Sequence, residues 1–120
     1  MIDLDTVRAA AREVATPEAC YAWALINAGL TPKLAETCHY FSPYDGHPLC
    51  LVGQVVDKLG VRPPSDEWEG AAIDGIPEAR EIFTQDALDY LAFVQSEQDG
   101  DWNQPWVEIL DALDTEMSTQ

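Results

Sequence analysis

Four side chains in the first half of the chain have metal-ligating or nucleophilic chemistry: Cys38, His39, His47 and Cys50. His47 and Cys50 lie three apart, a workable ligand spacing, and a hairpin through residues 42–46 would bring them beside Cys38. Cys38 and His39 are adjacent, however, and along a strand neighbouring side chains point to opposite faces. No C-x-x-C pair is present, the arrangement that closed zinc sites favour. The same residues read equally as buried thiols and partly exposed imidazoles, because free cysteine is among the most buried residue types. A nucleophilic pairing of Cys50 with His39 or His47 would need an electropositive, partly exposed setting. Cys50 instead lies in the most apolar stretch of an acidic chain. A small metal-binding or catalytic domain on Cys38, His47 and Cys50 is therefore the alternative reading, and the leading one expects no cofactor.

Carboxylates are the abundant chemistry. Twenty-two acids face six bases, for a net charge of −16. With so many acids, close carboxylate pairs arise by chance, and none sits on an apolar background that would raise one pKa selectively. Glycine-rich phosphate loops (G-x-G, G-K-[ST]) are absent, so nothing specifies an enzyme. The excess is uneven: residues 1–62 are near neutral, with seven acids and five bases, whereas residues 63–120 hold fifteen acids and one base, Arg80. Direct binding to nucleic acid or to an anionic membrane works against that field. Helical spacing turns Asp86, Asp89 and Glu97 away from the apolar stripe of one helix, and Glu108, Asp111 and Asp114 away from that of the next. Such rows can imitate DNA phosphates and steer a host protein with a basic surface; the plainer reading is a solvated face that keeps the domain soluble. Trp68, in an acidic loop, is the candidate aromatic anchor for a partner.

The elements that must carry these residues are mostly helices. Asp3 or Asp5 caps a first helix with Leu4, Val7, Ala11 and Val14 on one stripe and Arg8 and Arg12 on another face. Thr16-Pro17-Glu18 signals the start of a second, ending at Gly29. A central helix is expected over 48–60, opened by Pro48 and closed by Gly60, with apolar residues around most of its circumference. Gly53 inside it costs about 1 kcal/mol relative to alanine, which points to another backbone crossing there. Before it, residues 37–41 and 47–50 can pair as a small two-stranded β-ribbon. Thr84 caps the next helix, whose inner stripe is Leu88, Leu91, Ala92 and Gln95 and which Gly100 stops; the last carries Trp106, Ile109, Leu110, Leu113 and Met117.

Asp45-Gly46-His47-Pro48-Leu49-Cys50-Leu51-Val52-Gly53 with Leu59-Gly60 resembles a D-G-x-P-x-C-[IL]-V-G…L-G pattern, and Gln95-x-x-Gln98-Asp99…Trp106 resembles its companion Q-x-x-Q-D…W. The pair is similar to a family of small actinobacterial and actinophage proteins of unknown function; Asp101 stands where that pattern has glycine. The resemblance covers residues 38–112 and implies host context, with no activity or site residues. The expectation is a mainly α single domain of about four principal helices, with the near-neutral half 1–62 containing the central helix and the acidic half 63–120 as the interaction surface. No apolar run approaches the ~20 residues of a membrane span, and the acidic N-terminus lacks signal-peptide features, so a cytoplasmic protein is expected. A homo-oligomer is left open.

Overall fold

The computed structural model describes residues 1–27, 29, 40–41, 48–61, 72–101 and 103–118. Within them run α1 (Leu4–Val14), α2 (Tyr21–Asn27), α3 (Leu51–Lys58), a 3-10 turn at Ile73–Gly75, α4 (Pro77–Ile82), α5 (Gln85–Gly100) and α6 (Trp106–Ser118). Four of these helices, α1, α3, α5 and α6, have eight residues or more, so the chain is mainly helical as its periodicity predicts. No strand forms among the described residues; Phe41 and Pro48 make an isolated antiparallel bridge, and Ile2 and Phe83 a parallel one. No described helix is long and apolar enough to cross a membrane.

Helix ends follow local chemistry. The Asp3 carboxylate accepts the Thr6 N–H at 2.9 Å, and the Thr84 hydroxyl accepts that of Ala87, each satisfying a donor the first turn leaves unpaired. Gly29 and Gly60 take the left-handed φ values +75° and +77° that close α2 and α3. Gly100 is the last residue of α5 without that conformation, and Asp101 caps the helix. Two starts differ from expectation. Thr16-Pro17-Glu18 forms a turn, in which the Ala19 N–H donates to the Thr16 carbonyl, and α2 begins only at Tyr21, after the Cys20 sulfur has accepted the Trp23 N–H. The central helix begins at Leu51 rather than Pro48. Pro48 bridges Phe41, the Leu49 N–H donates to the Tyr40 carbonyl at 2.9 Å, and the Cys50 sulfur caps the Gly53 N–H at 3.3 Å. In a helix starting at Pro48 the Leu49 N–H would be one of the orphan donors of the first turn; the return toward Tyr40 gives it a partner.

Helix α3 is enclosed, with Leu51, Val52, Gly53, Val55 and Val56 all buried. A Cβ on Gly53 would stand 2.1 Å from the Tyr40 carbonyl oxygen, so another backbone does cross the helix at that glycine. The centre is shared with α5, which packs against α1, α3, α4, α6 and the 3-10 turn, whereas α3 packs chiefly against α1 and α5. Two glutamines of α5 are buried for a polar reason: the Gln98 side-chain oxygen accepts the Leu51 N–H at 2.8 Å, and that of Gln95 accepts the Ile73 N–H at 2.9 Å. Gln95 also donates to the Tyr40 hydroxyl at 2.7 Å. Buried amides are stable only when paired in this way, and here they fasten the start of α3, the 3-10 turn and Tyr40 to one helix.

Candidate functional site

An open groove of about 370 Å³ lies where the start of α1, the first half of α5 and the end of α6 meet; Leu4, Asp86, Asp89, Tyr90, Phe93, Leu113 and Glu116 line it. Backbone pairing seats its first wall: the Ile2 N–H donates to the Ile82 carbonyl at 2.8 Å and the Thr84 N–H to that of Ile2 at 2.9 Å, setting Leu4 beside the start of α5. On α5, Asp86, Asp89, Tyr90 and Phe93 fall at i, i+3, i+4 and i+7, one face of a helix. Leu113 and Glu116, three apart, supply the α6 wall. Tyr90 and Leu113 are buried, and Phe93 is 37% exposed.

The acids of the rim are held in place. The Asp86 carboxylate accepts the Thr84 hydroxyl at 2.6 Å and the Ala87 N–H at 2.9 Å, and Asp89 accepts the Gln85 amide at 2.8 Å. Burial, followed by the negative charge of Asp114, pushes the Tyr90 phenol up to about 12, so Tyr90 stays neutral. The lining thus offers an apolar floor beside carboxylate acceptors, which suits an apolar group that carries a cation nearby.

The structure divides the six acids of the expected interaction face. Asp86 and Asp89 border the groove, while Glu97 and Glu108 are exposed on α5 and α6 away from its lining. Asp111 and Asp114 hold the arginines of α1: Arg12 reaches Asp111 at 2.7 Å and also pairs with Asp114, and Arg8 reaches Asp114 at 3.0 Å. Donating to Asp114 raises the pKa of the Arg12 guanidinium; burial opposes ionisation of Asp114, but the two arginines outweigh it and hold that carboxyl below its usual range. Trp68, Cys38, His39 and His47 lie outside the described residues. Cys50 is fully buried with its sulfur engaged in the α3 cap. Trp106 is fully buried, its backbone N–H donating to the Ala19 carbonyl at 2.8 Å.

Sequence reasoning missed Tyr90 and Phe93 as groove residues, although a signal existed. Following the apolar stripe Leu88–Leu91–Gln95 leaves two aromatics on the opposite, acidic side of α5, where solvation alone calls for none. Set against known proteins, the chain matches no family profile, no curated protein and no solved structure.

Proposed function

We propose that this protein is a non-enzymatic acidic binding protein of actinobacterial or actinophage origin that engages the basic surface of a host protein, with its own carboxylate rows standing in for DNA phosphates. The observation that supports this is the state of its few cations. Among the described residues Arg8 and Arg12 are paired with Asp114 and Asp111, Lys58 with Glu13 at 3.0 Å, and Arg80 donates to the Asp74 carbonyl. The remaining two bases, Lys33 and Arg62, are in the near-neutral half. The fifteen acids of residues 63–120 therefore far exceed any internal neutralisation, and a surface of one sign steers partners of the other. The test is affinity capture from an actinobacterial lysate at about 0.15 M salt, with the captured protein identified and then purified. The expected partner is a basic, DNA-binding protein that duplex DNA displaces. Asp86→Lys, Asp89→Lys, Glu97→Lys and Glu108→Lys combined should abolish binding; those four leave the α1–α6 ion pairs intact. Retention of the partner by that variant refutes the reading.

A further inference from the structure

The groove is more specific than a charged face. We propose that it is the docking site for a basic amphipathic helical segment of the partner, one apolar side chain seated on Leu4, Tyr90, Phe93 and Leu113 while an arginine or lysine reaches Asp86 and Asp89. This rests on the reading of the protein as a binder of basic partners and adds what the bound segment must look like.

Three observations select the occupant. The floor is apolar and partly open, with Phe93 37% exposed, whereas pure charge attraction needs no aromatic there. The wall bears Asp86 and Asp89, whose donors Thr84, Ala87 and Gln85 are all neutral, so an apolar anchor without a cation would desolvate their charge with no opposite charge to offset it. A second copy of the chain is a poor occupant: it would bring its own net charge of −16, and seven lining residues are far fewer than the ~20–30 a side of a standard protein interface. A groove of about 370 Å³ fits one or two large side chains, which is what a peptide helix inserts when it docks by its apolar face. The order along α5 adds a direction. Asp86 and Phe93 are seven residues apart, about 10.5 Å of helix axis, so the cation and the anchor of the ligand lie within two turns of each other.

The experiment uses three fluorescein-labelled 14-residue peptides and fluorescence anisotropy with the full chain at about 0.15 M salt. One carries leucine at i, i+4 and i+7 among arginines and lysines; the second scatters the same residues around the helix; the third replaces leucine by serine. The first should bind at least about tenfold tighter than the other two, the margin expected of a hot-spot anchor. Phe93→Ser should remove that margin, and Asp86→Asn with Asp89→Asn should weaken binding several-fold and flatten its salt dependence. Glu97→Gln with Glu108→Gln should stay within about twofold, because screened charges off the groove contribute little. Circular dichroism of each variant confirms that the helices persist, which the exposure of Phe93 favours. Equal binding of all three peptides, indifferent to Phe93→Ser, overturns the groove while leaving the acidic-surface reading in place. No binding of any basic peptide overturns both. A dimer of the chain that Phe93→Ser dissociates assigns the groove to self-association and overturns the proposal.

Discussion

At Gly53 a single hydrogen atom allows two backbones to cross. The Tyr40 carbonyl oxygen would lie 2.1 Å from an added Cβ, and that carbonyl already accepts the Leu49 N–H at 2.9 Å. It cannot retreat without loosening the bond that sets the start of α3. Helix propensity alone would make Gly53→Ala stabilising by about 1 kcal/mol, but overpacking against fixed backbone costs about 1–3 kcal/mol, so the expected result is net destabilisation. A urea titration should show a lower midpoint with an unchanged slope; a raised midpoint would show that the Tyr40 segment yields. The same spot ties residues 48–53 to residues 95–98 of α5. Gln98 accepts the N–H of Leu51 in the first stretch, and Gln95 holds the hydroxyl of Tyr40, whose carbonyl crosses Gly53. Both glutamines act here as architecture.

Helix ends were legible wherever one residue decides them: Asp3, Thr84, Gly29 and Gly60 all perform the roles their types suggest. Starts that depend on a distant segment were not, since nothing near Pro48 announces that Tyr40 will take the Leu49 N–H. The groove was hidden for the same reason, its walls coming from residues 4, 86–93 and 113–116, which only packing joins. The clamp between α1 and α6 is a further case, because Arg8 and Arg12 read as an outer face until Asp111 and Asp114 arrive. It makes a prediction about pH. In the folded state the Asp114 carboxyl is held below its ordinary value of 3.8, its own burial being outweighed by the two arginines. A depressed folded value means stabilisation that is present above the unfolded value and lost as pH falls through the folded one. Asp114→Asn should therefore cost about 1 kcal/mol at pH 7, the upper range for a partly exposed network, and the gap to the unaltered protein should close as the pH falls below the ordinary value of 3.8. A gap that stays constant across that window would mean that Asp114 acts by packing and not by charge.

For the whole molecule the question is whether its charge stabilises or strains it. The extents are 40 × 30 × 21 Å, and in ~0.01 M salt the screening length is about 30 Å, so nearly every charge feels every other. Two like charges 30 Å apart in water repel by about 0.1 kcal/mol, and a net charge of −16 corresponds to on the order of a hundred such pairs. Unfolding spreads the charges and relieves part of this, leaving a penalty on the folded state of several kcal/mol. Against it stand ion pairs such as Arg12–Asp111 and Lys58–Glu13, which are partly exposed and worth about 0–1 kcal/mol each. Salt weakens both effects, and the repulsion is the larger. Raising sodium chloride from ~0.01 to ~1 M, which shortens the screening length to about 3 Å, should therefore stabilise the protein. For a chain of 120 residues a gain of about 2 kcal/mol corresponds to a rise in Tm of about 5–10 °C, measurable by circular dichroism at 222 nm. Chloride is the anion to use, because sulfate would strengthen apolar burial by a separate route. A basic partner should act as salt does, neutralising the strained half while bound, so that the rise in Tm on adding a saturating basic peptide shrinks as the salt concentration grows. A Tm that falls with added chloride would show that the internal pairs outweigh the excess, and that fifteen acids in one half are compatible with an unstrained fold.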